Sequence, residues 1–535
     1  MAFIVTQAQT AGEQFLRNRA ALLQQIGHWR SLEARSRAAS ESARAQFERR
    51  GQLLPRARLA LLLDSGAPWL ELSTLAGLGE APDSVPGGGL IAGIGYVEGV
   101  RAMVLASDSG IQAGALTMAG LDKMLRAQAI ALAQKLPFIH LVESAGANLL
   151  EYRVEHFVRG GALFCNLARL SGAGIPVITV VHGSSTAGGA YMPGLSDYVV
   201  MVRQRARAFL AGPPLLKAAT GEVASEEELG GAAMHASVSG LAEYLAEDDA
   251  DAVRIAREIV AALGWNRAPA PAPVGYAEPR YASEELLGLM ASDARQPVDM
   301  REVIARIVDD SDFLEFKAGY GAATVTGHAA LCGMRVGIVS NNGPLDPDGA
   351  SKAAHFIQAC SQSGTALLFL QNTTGFMVGR DAEQGGMIKH GSRMLQAVAN
   401  APVPRITLMC AASFGAGNYG MCGSGFAPDF CFSWPNARTA VMGAQQAADT
   451  MASVMEAGAA RKGLPAEPAR VAQMKERIIE TFERQSSALA TSALLLDDGV
   501  IDPRESRQVL ACALSICEQA RRRQLNPMQF GVGRS

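Results

Sequence analysis

The sequence predicts an α/β protein made of two tandem copies of one fold, and three observations carry the prediction. Matched segments recur in the same order in both halves at a nearly constant offset. Within each half, short apolar runs bounded by Gly and Pro alternate with stretches of helical period. A Pro/Ala-rich segment at residues 266–279 (NRAPAPAPVGYAEP), with neither period, divides the chain near its middle. The expected domains are therefore 1–265 and 280–535.

Taken in order, residues 11–51 read as a charged amphipathic helix with Phe15, Leu16, Leu22, Leu23, Ile26 and Trp29 on one face. Its role is packing or subunit contact. The first repeated block is GVRAMVLAS from Gly99, matched by GMRVGIVSN from Gly333, 234 residues on. Lys123 then pairs with Lys352 and Gly146 with Gly375, both 229 apart, the glycines closing the strand-like runs FIHLVESAG and LLFLQNTTG. Pro176-Val-Ile-Thr and Pro404-Arg-Ile-Thr follow at 228, as do the loops AGGAY from Ala187 and GAGNY from Gly415. Ala206-Arg207 and Ala437-Arg438 close the series at 231. Strands such as 177–181 follow helices such as 122–134, the alternation of layered α/β folds.

Composition narrows the function. The 535 residues carry 48 Lys and Arg against 51 Asp and Glu, a net charge of −3, so no basic field attracts nucleic acid or an anionic membrane. A 49% hydrophobic and 19% charged composition suits a large core with sizeable subunit contacts and excludes disorder. The longest apolar runs, 175–181 and 406–412, fall short of the roughly 18 residues a membrane span needs. The first 13 residues lack the basic start, apolar core and cleavage site of a signal peptide. Eight Cys include no C-x-x-C pair and eight His no H-E-x-x-H, so no metal site is expected and a reduced, cytoplasmic enzyme is.

The chemistry concentrates in the two small-residue loops, SSTAGGAYMPG and ASFGAGNYGMCG. Each follows an apolar strand and opens a helix, whose first N–H groups lack internal partners and carry the positive end of the dipole. Such a loop can stabilise an enolate or oxyanion without a charged side chain. Glycines there also serve tight turns and close helix–strand contacts; two loops at matched positions favour the ligand reading. Neither is a P-loop, and Gly415-Ala-Gly-Asn-Tyr-Gly420, although a bare G-x-G-x-x-G string, has no acid about 20 residues on to hold a ribose. Glu143 is a candidate general base or a carboxylate bonded to turn N–H groups; its counterpart is Asn372. His182 reads as a satisfied buried histidine, and Ser184, Ser185 and Thr186 as turn or cap residues without a G-x-S-x-G elbow.

Over nearly its whole length, from RGQLLPRARLALLLD at Arg50 to DDGVIDPRESR at Asp497, the chain resembles the carboxyltransferase β subunits of biotin-dependent acyl-CoA carboxylases. The motifs are STAGGAYMPGLSDY, FLAGPPLLKAATGE, FLQNTTGFMVGR, SFGAGNYGMCG and WPNARTAVMGAQQAA, and the last three are most similar to the branch acting on 3-methylcrotonyl-CoA and geranyl-CoA. The chain lacks the four-Cys zinc ribbon of the separate bacterial acetyl-CoA carboxylase β subunit.

The resemblance implies two crotonase-like (ClpP/crotonase) domains and a carbon–carbon ligase component that moves CO2 from carboxybiotin to an acyl-CoA. The N-terminal domain would hold acyl-CoA, and the C-terminal domain of a neighbouring subunit carboxybiotin. Gly188 and Gly189 would direct backbone N–H groups at the thioester oxygen as the enolate forms, and Ala416 and Gly417 at the ureido oxygen of biotin. Gly146, Ala147, Tyr191, Gly194, Gly375, Phe376 and Phe414 would line the clefts. For a β-methyl α,β-unsaturated substrate the proton lost would be the vinylogous γ one. Implied partners are a biotin carboxylase/biotin carrier α subunit and sister chains in a hexameric core of an α6β6 complex. Met192-Pro-Gly194 stands where the branch usually reads Val-Pro-Ala, which predicts a roomier pocket and a longer chain such as geranyl. Two other readings stay open: a crotonase-type acyl-CoA hydratase or isomerase, and a biotin-dependent acyl-CoA decarboxylase subunit.

Overall fold

The computed structural model describes residues 3–80, 84–146, 153–265, 275–290, 298–461, 467–525, 527 and 530–533. Most of the expected linker, residues 266–274, lies outside the described residues. The chain forms two compact units. One comprises Arg30–Ala270, Ala493–Leu495 and Ile516–Ser535, and the other Met1–Trp29, Pro271–Ser492 and Leu496–Ser515. The terminal segments thus pack in the unit opposite to the one a simple cut at the linker gives them.

The sheet of the first unit contains β1 (Leu70–Glu71), β2 (Leu90–Val97), β3 (Val100–Ser107), β4 (Phe138–Ser144), β5 (Val177–Thr186), β6 (Tyr198–Val202), β7 (Arg207–Phe209) and β8 (Tyr244–Ala246). Their order is β1-β2-β3-β4-β5-β6-β8, with β7 paired to β5. From β3 onward neighbours run parallel. Parallel strands need crossovers, supplied here by the helices Met118–Ala133 and Val154–Gly172. All eight residues of β3 and all seven of β4 are buried, which accounts for their continuous apolar runs.

The other unit repeats this with β9 (Leu314–Glu315), β10 (Thr324–Leu331), β11 (Met334–Asn341), β12 (Ala366–Thr373), β13 (Arg405–Phe414), β14 (Phe430–Ser433) and β15 (Arg438–Ala440). The order is β9-β10-β11-β12-β13-β14, with β15 paired to β13. Pro347–Ser363 and Met387–Ala399 are the crossover helices.

The duplication extends to individual bonds. Asp64 accepts the Glu98 and Gly99 N–H groups at 2.9 and 2.7 Å, tying down the β2–β3 turn; Asp309 does the same for Cys332 and Gly333 at 2.8 and 2.7 Å. Lys123 buries its ammonium on the Leu90 carbonyl at 2.6 Å, and Lys352 on that of Thr324 at 2.7 Å. The copies diverge after the second glycine loop. The first unit continues through the short helices Pro213–Thr220, Glu226–Gly230 and Ala232–Ser237, whereas the other continues through the long pair Ala444–Arg461 and Pro468–Ser486. The expected N-terminal helix runs Glu13–Ser42 and then Arg44–Arg49. No described helix is long and apolar enough to cross a membrane.

Candidate active site

In each unit the two central parallel strands lose register just before the glycine loop. Val142 faces Val181, but the next pair is Ser144 with Ser185. Glu143 alone therefore spans the stretch that His182, Gly183 and Ser184 occupy on β5. In the other unit Gln371 faces Met409 and the next pair is Thr373 with Ser413, so Asn372 spans Cys410–Ala412. This is the same β-bulge twice, a device that bends a strand and re-aims its end.

Past the bulge both strands enter their loop through left-handed backbone, with φ of +53° at Ala187 and +55° at Gly415. β5 then opens into a single turn, Ala187–Ala190, and the short helix Tyr191–Gly194, while β13 opens into the helix Gly415–Gly420. Ala187 and Gly188 are exposed and Gly189 is buried. Ser185 Oγ donates to the Gly189 carbonyl at 2.8 Å, the turn bonding expected of that serine.

The preceding turn is braced alike in both units. Ser144 Oγ accepts the Gly146 N–H at 3.1 Å, and Thr373 Oγ1 accepts that of Gly375 at 3.2 Å. The carbonyls of the same glycines accept Leu116 N–H at 3.1 Å and Leu345 N–H at 2.9 Å. These four residues escaped sequence reasoning. Ser144 and Thr373 stand 229 apart, the spacing already seen for Gly146 and Gly375, and that coincidence was the available signal.

The predicted loop and cleft residues fall as follows. In the first unit Gly146 lies against the loop, its direction set by Ser144, whereas Ala147 lies outside the described residues. The Phe164 ring approaches to 3.5 Å from where a β-carbon on Gly188 would stand, and packs edge-on against Tyr191 at 5.6 Å between centroids. Gly194 has no neighbouring heavy atom within 4 Å of such a β-carbon. In the other unit a β-carbon on Gly417 would stand 2.9 Å from the Gly375 α-carbon and 2.9 Å from Thr373 Cγ2. The Phe376 ring lies against Gly391 and Gly420, and Phe414 is buried. Ala416 is exposed beside buried Gly417.

No charged side chain belongs to either loop, but charge is buried behind one of them. Arg58, 1% exposed, donates to Glu143 at 2.8 Å and to Asp249 at 2.9 Å; Asp249 also bonds His182 Nδ1 at 2.9 Å. Among the described residues Glu143 is held by Arg58 and by Gln52 and by no turn N–H group, so its carboxylate is paired rather than free. Burial, reinforced by Arg58, pushes His182 below the ordinary histidine value. Burial opposes ionisation of Asp249, yet His182, Arg58 and the Leu53 N–H together hold its carboxyl down to about 2. Among the described residues His182 Nε2 is without a partner, so this histidine is buried but only half satisfied. The described cysteines are free thiols. Among the described residues no three His, Cys, Asp or Glu converge as metal ligands.

Both units thus carry the same arrangement, a bulged strand that opens through left-handed backbone into a glycine loop beside a glycine turn braced by a hydroxyl. Residues 46–532 match the carboxyl transferase domain. The chain is 51% identical over 468 residues to the probable biotin-dependent acyl-coenzyme A carboxylase beta2 subunit of Mycobacterium tuberculosis, covering 87% of this chain and 88% of that protein. It is 46% identical over 509 residues to the biotin-dependent 3-methylcrotonyl-coenzyme A carboxylase beta1 subunit of that organism, covering 94% and 95%. The crystal structure of the P. aeruginosa geranyl-CoA carboxylase beta subunit matches all of both chains at 53% identity with a TM-score of 0.94.

Proposed function

Because the chain belongs to the carboxyl transferase family, as a carboxyltransferase β subunit of a biotin-dependent acyl-CoA carboxylase with the crotonase-like two-domain fold, we propose that it carboxylates the γ-carbon of a branched α,β-unsaturated acyl-CoA. Geranyl-CoA is the first candidate and 3-methylcrotonyl-CoA the second.

The observation that carries this reading is the repeated loop, entered at Ala187 and Gly415 through the same left-handed step. Transfer of CO2 develops negative charge on oxygen twice, on the donor and on the thioester, and one device used twice serves both. The residues 1–265 domain takes the acyl-CoA. There Gly188 and Gly189 hold the thioester oxygen as the γ proton leaves and charge delocalises along the conjugated chain, and Gly146 and Ala147 line the cleft. Tyr191 and Gly194 line the acyl group. The residues 280–535 domain takes carboxybiotin, whose ureido oxygen meets the N–H groups of Ala416 and Gly417, with Gly375, Phe376 and Phe414 around it. The bare α-carbon at Gly417 lets the loop pack directly on Gly375 and Thr373, so the turn and the loop are held at a fixed spacing. Carboxybiotin supplies the CO2 and the proton acceptor, which accounts for Glu143 being locked in an ion pair.

Biotin is carried by an α partner with biotin carboxylase and carrier domains, and the chain forms the hexameric core of an α6β6 assembly in the cytoplasm. Likeness to the geranyl-CoA carboxylase subunit and the open space at Gly194 support the longer acyl chain. The test combines the chain with its biotinylated partner, ATP and bicarbonate, and compares geranyl-, 3-methylcrotonyl-, acetyl- and propionyl-CoA. Preference for geranyl-CoA is expected. Equal turnover of short and long substrates defeats the chain-length assignment, and no ATP-dependent carboxylation with partner and biotin present defeats the function.

A further inference from the structure

In each unit the strand ladder resumes beyond the bulge, on β7 or β15, and only the residues at the bulge are left out of register with the neighbouring strand. A bulge removes backbone groups from strand pairing, and a buried carbonyl so released needs a donor. In the first unit the carbonyl is that of His182, and Gln52 Nε2 donates to it at 3.1 Å. In the other unit it is that of Cys410, and Asn436 Nδ2 donates to it at 3.0 Å. His182 and Cys410 are equivalent, 228 residues apart like the two loops. Gln52 and Asn436 are not equivalent. Gln52 precedes the helix Pro55–Leu62, and Asn436 lies between β14 and β15.

We infer that Gln52 and Asn436 are positioning residues, one per half-site, whose amide N–H fixes where the bulged strand delivers its glycine loop. Different parts of the chain supply the same bond to the same carbonyl, as expected where the bond is required and its source is not. Each amide uses its donor side: among the described residues Gln52 Oε1 and Asn436 Oδ1 are buried without a partner, and either amide turned over would set oxygen against the carbonyl oxygen. Gln52 is itself aimed, because its Nε2 also meets Glu143 Oε1 at 3.1 Å while Arg58 holds the other carboxylate oxygen at 2.8 Å. From the clamped carbonyl to Ala187 is five residues, and from Cys410 to Gly415 likewise five. A shift at the bulge therefore reaches the loop N–H groups with little chain to absorb it. The assignment of each loop to its ligand rests on the proposed function; the clamping does not.

The experiment uses the intact complex with Gln52→Met and Asn436→Leu, which keep size and remove the donor. Gln52→Asn, which withdraws the amide by one methylene, repeats the test should the Met variant fail to accumulate. Amide hydrogen exchange is followed over residues 183–190 and 411–418. Gln52→Met is expected to speed exchange in the first segment only, and Asn436→Leu in the second only. Acyl-CoA affinity and the KM for free biotin are then measured. Gln52→Met should weaken acyl-CoA binding, and Asn436→Leu raise the biotin KM, each by on the order of tenfold or more with the other ligand unaffected. Exchange that changes in both segments or in neither overturns the inference, as does the expected exchange pattern with both ligands unaffected. The expected exchange pattern in a protein whose unsubstituted form binds no acyl-CoA upholds the clamps and rejects the ligand assignment.

Discussion

Gly417 and Gly375 approach so closely that a β-carbon on the former would stand 2.9 Å from the α-carbon of the latter. This contact joins the turn after β12 to the loop after β13 with backbone on one side, so no flexible side chain can yield. Gly417→Ala must push the two apart. Overpacking of this kind costs about 1–3 kcal/mol, and an ångström of displacement at a reacting centre costs on the order of 100-fold in rate. The expected variant is folded, melts a few degrees lower and has lost nearly all carboxyl transfer. Melting curves and assays with the biotinylated partner check both, and an active Gly417→Ala enzyme removes this loop from the chemistry.

Gly188 offers the contrasting case. A β-carbon there meets only the edge of the Phe164 ring at 3.5 Å, an ordinary contact, so Gly188→Ala leaves the fold and its melting temperature unchanged. Loss of kcat/KM for acyl-CoA, on the order of 10- to 100-fold, then reports a clash with the ligand itself. Unchanged kinetics would place the thioester elsewhere.

Gly194→Ala is also structurally silent, because beyond its own helix no neighbouring heavy atom lies within 4 Å of the added methyl. If Gly194 faces the acyl chain, the substitution moves the geranyl-to-methylcrotonyl ratio of kcat/KM toward the shorter substrate. One methyl is worth about 1–3 kcal/mol of discrimination. An unmoved ratio frees Gly194 from the pocket wall.

Asp497 gives a pH-dependent expectation. Burial raises its carboxyl from 3.8 to about 6, despite the hydrogen bond from Ser433. The folded state therefore binds the proton more tightly than the unfolded chain. The resulting stabilisation is fully present below pH 3.8 and lost as pH rises through about 6. Asp497→Asn keeps an acceptor for Ser433, which lies 2.6 Å from the carboxylate. Relative to the unsubstituted chain it should gain stability between pH 4 and 7, to a limit on the order of 3 kcal/mol. Denaturant titrations at pH 5 and pH 7.5 with the same difference at both would refute the burial account.

Arg58 bridges two buried carboxylates, so removing it costs more than either bond alone. Arg58→Met leaves Glu143 and Asp249 without their shared cation, and the expected loss is about 3–5 kcal/mol in equilibrium unfolding. A loss below about 1 kcal/mol would mean that the pair is solvated in solution.

Much of the fold was legible because duplication writes it twice. The pairs Gly146/Gly375 and Lys123/Lys352 mark equivalent places, and in the folded chain the glycines turn under matching hydroxyls while the lysines cap matching carbonyls. The glycine loops were legible for the same reason. Glu143 was read as a base or a turn acceptor; among the described residues it is bound instead by Gln52 and by Arg58, which lies 85 residues earlier with no periodic relation to it.

By itself, then, the sequence determined the α/β class, the doubling, the two loops and the family, all of which depend on local pattern or its repetition. Tertiary structure alone decided that β5 and β13 bulge where they do, that Gln52 and Asn436 meet the carbonyls those bulges release, and that Arg58 gathers Glu143 and Asp249 into one buried charge cluster. A strand announces itself by the residues along it. A bulge depends on the register with a neighbour, and a clamp on which distant side chain folding brings within about 3 Å, where hydrogen bonds form.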